Sequence, residues 1–156
     1  MAKASFTLGE HKSVFLELVA QTDHKTLAHW AIECAERVMP FFEESFLDDR
    51  RPRRALETLQ AWIDTGVFSI AVIRGASLGA HAAARAVGDD NPARSAARAA
   101  GQAVATAHVS THAPGAALYA LQAIHRAAPP SEAASAVDRE REWQLQRLRA
   151  LRAGAS

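Results

Sequence analysis

Residues 92–110 read PARSAARAAGQAVATAHVS, the most alanine-rich stretch of the chain. Alanine has the highest helix propensity and proline is well tolerated in a first helical turn, so this stretch predicts a helix from about Pro92 to Ser110. Its small residues recur along one face: Ala97, Ala100, Gly101, Val104 and Ala107. A neighbouring helix can approach such a face more closely than the roughly 8–10 Å usual between helix axes. The stretch therefore predicts an alanine-rich core of closely packed helices.

Helical periodicity extends in both directions from this stretch. We expect further helices over about 8–20, 24–42, 52–65, 70–86, 114–126 and 132–152. Their ends are marked by candidate caps and breakers, namely Thr22 or Asp23, Pro40, Pro52, Gly66, Ser69, Gly88, Thr111 and Pro114. Pro40 is expected to kink or shorten the last turn of the second helix. The prediction is an all-α, single-domain bundle of about six to seven helices over residues 1–156.

The final predicted helix, from about Glu132 to Arg152, differs from the others. Its charges alternate in sign and its apolar stripe is thin: Val137, Leu145, Leu148 and Leu151. A helix with so little apolar surface buries little against a core. We therefore expect it to be peripheral, packed loosely on the body or docked on a partner.

Composition excludes some classes of protein. A net charge of +1 argues against a nucleic-acid binder, whose affinity depends on many cations. The one cysteine, Cys34, excludes an internal disulfide, and its place in an apolar helical stripe predicts a small buried side chain. Residues 1–10 lack the pattern of a signal peptide and no apolar run approaches membrane-spanning length. We expect a cytoplasmic protein without a membrane partner.

Three histidines are the candidates for chemistry. His108 and His112 are spaced one helical turn apart, which can hold a zinc ion, but Val109 occupies the position where a metalloprotease needs glutamate. Only His81 or Glu36 offers a third ligand, and a catalytic zinc normally needs three. The favoured interpretation is helix-face histidines with hydrogen-bonded partners and no metal. His81 itself shares a face with Ile70, Ile73 and Ser77 and is expected to point inward as a core residue.

A basic cluster occupies residues 49–54, DRRPRR. Positive charge is disfavoured at a helix N-terminus, so the cluster calls for nearby carboxylates. The second helix offers four: Glu33, Glu36, Glu43 and Glu44. An ion network between helices is favoured over a nucleic-acid site.

No glycine-rich phosphate loop, Ser/His/Asp order or dinucleotide-binding fingerprint is present. We therefore expect no cofactor and a protein that is not an enzyme.

An ordered set of motifs resembles a known family. The set runs LAHWAIECAERVMP (27–40), RPRRALE (51–57) with Trp62, AHAAAR (80–85), ARAAGQAVATAHV (97–109), and His112 with GAA (115–117). Over roughly 24–127 it resembles the Imm-5-like family of bacterial putative immunity proteins. One departure is Gln102, where that pattern leads us to expect histidine.

The resemblance implies a small, non-catalytic helical protein that binds and neutralises a cognate toxin. The polar positions that coincide with the motifs are candidates for a partner-binding site or for a polar network that holds the helices in register. They are Glu36, Arg37, Arg53, His81, Arg85, Arg98, His108 and His112. Two alternatives remain open at this point: a metal-dependent enzyme that uses His81, His108 and His112, and a structural module that forms homo-oligomers through its small-residue faces.

Overall fold

The chain is all-α, as predicted. The computed structural model describes residues 5–154, except for the side chain of Val14, and within that range no strand forms. The helices are α1 (Gly9–Ala20), α2 (His24–Glu36), α3 (Met39–Glu43), α4 (Arg51–Thr65), α5 (Ile70–Val87), α6 (Pro92–Ala105), a 3₁₀ turn (Ser110–His112), α7 (Ala113–Ala127) and α8 (Ala133–Gly154). Among the described helices, none combines the length and the hydrophobicity needed to cross a bilayer.

Several helix ends follow from local chemistry. The side-chain oxygens of Asp23, Ser69 and Asn91 accept hydrogen bonds from backbone N–H groups in the first turns of α2, α5 and α6. These bonds satisfy donors that have no partner inside the helix. Gly66 ends α4 with φ of 70°, a left-handed conformation that glycine adopts without strain. The caps predicted at Asp23 and Ser69 and the stop at Gly66 are confirmed.

Two predicted helices are shorter than expected. The second ends at Glu36, and Pro40 lies in the first turn of a separate helix, α3. Proline has no N–H to donate to the carbonyl of residue 36, so the hydrogen-bond ladder stops there. The helix that starts at Pro92 ends at Ala105, and Val109 is extended with φ of −135°. The 3₁₀ turn, rather than a Thr111 side-chain cap, then leads into α7.

Helix α6 lies at the centre of the core. It packs most extensively against α5 and α7 and also contacts α2, α3 and α4. Apart from Ser95 and Val104, its fully buried side chains are alanines: Ala96, Ala97, Ala99, Ala100 and Ala103. Helix α5 comes close enough for the Ser77 hydroxyl to donate a 3.0 Å hydrogen bond to the Gly101 carbonyl. The alanine-rich stretch forms the packing surface that its sequence predicts.

The prediction that the last helix is peripheral is wrong. Helix α8 packs on α2 and α7, and its Val137, Gln144 and Leu148 side chains are buried. The Trp30 indole N–H donates a 2.8 Å hydrogen bond to the backbone carbonyl of Gln144. The side-chain amide of Gln144 in turn donates a 3.0 Å hydrogen bond to the backbone carbonyl of Ala117. Hydrogen bonds from polar groups of α8 therefore add to the contacts of its thin apolar stripe and hold the helix on the core.

Candidate functional site

The three candidate histidines meet in one cleft. It has a volume of about 200 Å³ and lies between α5, the end of α6 and the 3₁₀ turn. Its lining residues are Ile70, Ile73, Arg74, Ser77, Leu78, His81, Gln102, Ala105, His108 and His112. We refer to it as the histidine cleft. Its floor is largely apolar, and its polar groups come from three separate elements.

His81 is half-buried and is held as a neutral imidazole. An Arg98 guanidinium nitrogen lies 2.8 Å from its Nδ1 atom. Arginine can only donate, so Nδ1 accepts and the ring proton belongs to Nε2. Burial lowers the pKa of His81 to about 4, and the charges of Arg98, Arg85 and His112 act in the same direction.

His112 is bound to the side chain that replaces the expected histidine. Its Nδ1 atom lies 3.0 Å from Oε1 of Gln102, which accepts the hydrogen bond. Burial lowers the pKa of His112, and the charge of His108 adds to the effect. The Gln102 amide also packs so closely on Gly115 that a Cβ atom there would lie 2.8 Å from Oε1. Gln102 therefore fills space beside His112 and fixes the orientation of its ring.

His108 lies at the mouth of the cleft. Its ring is exposed and stacks on Phe68, with 6.0 Å between the ring centroids. The spacing of His108 and His112 suggested neighbours on one helical face. Because α6 ends at Ala105, they do not lie on a common helix. Among the described residues, no group of three or more His, Cys, Asp or Glu side chains is arranged to hold a metal ion.

The remaining candidate residues divide into two groups. Arg85 and Arg98 lie close enough to His81 to lower its pKa. Glu36, Arg37 and Arg53 do not line the histidine cleft but join helices through ion pairs. Arg37 binds the buried Glu140 through two hydrogen bonds of 2.6 and 2.9 Å and lies over the Trp143 ring.

The basic cluster at residues 49–54 is largely neutralised, as expected. Arg53 pairs with Glu36 and with Glu43, the latter at 2.6 Å. Arg50 pairs with Glu57 and Arg51 with Asp49. Glu33 is used elsewhere, because it binds Arg147 of α8. Within the cluster, Arg53 is the residue that joins α4 to other helices, and the other two pairs are local. Of the four carboxylates offered by the prediction, the cluster uses Glu36 and Glu43 but not Glu33 or Glu44.

An exposed apolar surface beside the cleft is not anticipated by the periodicity of the sequence. It consists of Val67, Phe68, Ile70, Val72, Leu78 and Val109, which we call the apolar ridge. The sequence feature that indicates this surface is the run of apolar residues in 67–73, VFSIAVI. Apolar residues at four consecutive positions, 70–73, exceed what one helical face can bury, so some of them must point to solvent.

The fold and the site together describe a helical bundle with an alanine-rich core, whose most distinctive surface is an apolar ridge beside a histidine cleft. The chain matches the family model described as Imm-5 like putative immunity protein over residues 17–151, and it belongs to that family. The resemblance noted in the sequence is thereby confirmed. The match also covers most of α8, beyond the region 24–127 that the motifs delimited. No curated protein and no solved structure matches the chain at a significant level.

Proposed function

We propose that this protein is a non-catalytic immunity protein that binds and neutralises a cognate toxin in the cytoplasm. Membership of the immunity-protein family supports a toxin partner in general. The observation that carries the proposal to this chain is the apolar ridge, which exposes large side chains beside a cleft. Contiguous exposed apolar surface on a folded domain is typical of a protein-binding site.

The chemistry of the histidine cleft favours binding over catalysis. His81 accepts a hydrogen bond from Arg98 and His112 donates one to Gln102, so one nitrogen of each ring is already engaged. A general base must reach a nucleophile or a substrate proton, and a catalytic zinc normally needs three protein ligands. A metal-dependent enzyme built on His81, His108 and His112 gains no support from this arrangement.

The proposal is tested by affinity capture from the native host lysate and by a growth assay. We expect one stoichiometric partner with a toxin-like C-terminal domain, and we expect co-expression of this chain to restore growth of cells that produce that domain. Untagged protein should contain no stoichiometric metal by elemental analysis. Folded protein that recovers no such partner and protects no cell would refute the toxin-binding function.

A further inference from the structure

The apolar ridge is a concentrated feature. In the part of the chain that the structure describes, eight large apolar side chains are exposed, and six of them belong to the ridge. The other two, Leu16 and Leu47, lie on α1 and on the segment between α3 and α4. Because scattered exposed apolar residues are ordinary while contiguous ones mark contact sites, this concentration indicates an interface.

Two grooves flank the ridge. On one side lies the histidine cleft, lined in part by Ile70 and Leu78. On the other side a groove of about 290 Å³ runs between α4 and α5 and is lined in part by Val67 and Val72. Ile73 lines both grooves, so the first turns of α5 stand between them. A partner that covers the ridge would therefore find a depression on each side for its own side chains.

The stretch of chain that carries the ridge has an excess of positive charge. Between Asp64 and Glu132 the sequence contains only two acidic residues, Asp89 and Asp90, against five arginines. Asp90 pairs with Arg94 and Arg126. Within residues 5–154, no carboxylate lies within ion-pair distance of the remaining three arginines, Arg74, Arg85 and Arg98.

The other helices carry more carboxylates. Three arginines there, Arg37, Arg53 and Arg147, are each bound to carboxylates of another helix. Residues 65–131, with five arginines and two aspartates, carry a net charge of +3, whereas the rest of the chain, with 13 cations and 15 carboxylates, carries −2. Such a field attracts an acidic partner and speeds its encounter.

From these observations we infer that the apolar ridge and the histidine cleft form the toxin-docking face, and that they receive an acidic toxin surface with an apolar side chain inserted in the cleft. This inference rests on the proposed function. The cleft, at about 200 Å³, is smaller than the roughly 300–1,000 Å³ of most small-molecule sites, which fits an inserted side chain better than a free ligand.

Other occupants fit less well. A second copy of this chain, docked by two-fold symmetry, would bring the same arginines against each other across the interface. Nucleic acid needs many phosphate-binding cations, and an apolar ridge offers phosphates no partner. A protein surface that presents an apolar side chain among carboxylates matches both the apolar ridge and the excess of positive charge.

The test uses the protein encoded beside this chain that carries the toxin-like domain, with its activity removed by mutation. Leu78→Asp places a charge on the ridge. Its control is Leu47→Asp, because Leu47 is 81% exposed and lies outside the ridge. Truncating or charging a central apolar contact typically weakens binding strongly, so Leu78→Asp should raise the Kd at least about tenfold. Leu47→Asp should leave the Kd unchanged.

Charge is tested separately by Arg74→Glu, with the exposed Arg139 of α8 mutated in the same way as the control. Rim charges act mainly on association, so Arg74→Glu should slow kon several-fold and flatten its dependence on salt. Circular-dichroism melting curves should be unchanged for all four variants. Light scattering should show no loss of self-association in Leu78→Asp, because the ridge of the free protein is not a dimer contact.

The outcomes separate the two proposals. If the wild-type chain binds no toxin domain, the proposed function and the docking face both fail. If the wild type binds but Leu78→Asp and Arg74→Glu bind equally well, only the docking face is refuted. A dimer that Leu78→Asp dissociates would instead assign the ridge to a second copy of the chain and would also overturn the inference.

Discussion

The ring of His81 lies directly over Gly101 on the neighbouring helix. A Cβ atom built at residue 101 would lie 2.7 Å from Nε2 of His81 and 2.9 Å from two ring carbons. Real Cβ atoms essentially never approach other heavy atoms so closely. Glycine at 101 is therefore what allows α5 to place a half-buried imidazole against α6, and the histidine cleft depends on it.

We predict that Gly101→Ala is destabilising although it improves helix propensity. Overpacking of a core position typically costs about 1–3 kcal/mol, and alanine in place of a mid-helix glycine returns up to about 1 kcal/mol. The net effect should be a fall of about 1 kcal/mol in the free energy of unfolding, measured by urea denaturation. The displaced His81 ring should also lose its hydrogen bond to Arg98, which its imidazole NMR signals would report.

Gly75 supplies the matched control. It lies inside α5 at an exposed position, and a Cβ atom there would meet no atom within 4 Å. Gly75→Ala should therefore raise the free energy of unfolding by about 0.5–1 kcal/mol. Equal stabilisation by the two substitutions would show that His81 does not occupy the space above Gly101.

A second prediction concerns pH. The pKa of His81 is lowered to about 4 in the folded chain, from 6.5 for an unperturbed imidazole. Between these values the unfolded chain binds a proton that the folded chain does not, so the free energy of unfolding falls as the pH is lowered from about 6.5 to about 4. Above about pH 6.5 the His81 ring is unprotonated in both the folded and the unfolded chain, so it no longer lowers the free energy of unfolding. An NMR titration of the His81 ring should show a midpoint near 4.

The variant His81→Gln isolates this effect from the carboxylates that titrate in the same range. The difference in stability between the wild type and His81→Gln should shrink as the pH falls through that window. Parallel pH profiles for the two proteins would contradict the lowered pKa.

Helix boundaries were predictable where their causes are local. Asp23, Ser69 and Gly66 act on backbone groups within their own turn, so their positions in the sequence were sufficient. The end of α6 at Ala105 was missed because small and apolar residues continue at helical spacing past it. The docking of α8 was missed for a different reason. It depends on hydrogen bonds between residues far apart in the sequence, such as Trp30 and Gln144.

The residues of the candidate site were predictable from the sequence, but their relative positions were not. The sequence singled out His81, His108 and His112, yet their spacing suggested a helical pair that the structure does not contain. Their meeting in one cleft depends on the packing of α5 against the end of α6, which no periodicity records. The apolar ridge follows from the number of apolar residues in 67–73, because a single helical face cannot bury them all.

A third prediction concerns Cys34. Its side chain is fully buried, and burial raises the pKa of the thiol well above its usual value, with Glu140 and Glu33 adding to the effect. The reactive form of cysteine is the thiolate, so the folded protein should hardly react. At neutral pH, we expect a thiol reagent to label Cys34 at least about a thousandfold more slowly than it labels the urea-unfolded chain. Rapid labelling without unfolding would show that α2 is not packed as described.

The last prediction concerns the ion pair that joins α2 to α8. Glu140 is only 8% exposed in its side chain, whereas Arg37 is 42% exposed. Arg37→Met would leave the carboxylate buried without its counter-charge, so the free energy of unfolding should fall by about 2 kcal/mol. That is less than the roughly 3–5 kcal/mol of a fully buried pair, because solvent reaches the arginine.

A double-mutant cycle separates the ion pair from other contacts of Arg37, such as its position over Trp143. Once Glu140→Gln has removed the carboxylate, Arg37→Met should cost markedly less, which corresponds to a coupling energy of about 1 kcal/mol or more. The exposed pair Arg50–Glu57 is the matched control, with 59% and 57% of the side chains accessible. Its cycle should give a coupling energy below about 0.5 kcal/mol because water screens both charges. Additive effects at Arg37 and Glu140 would mean that the pair contributes no more than a surface contact, and that α8 is held by its buried Val137, Gln144 and Leu148 instead.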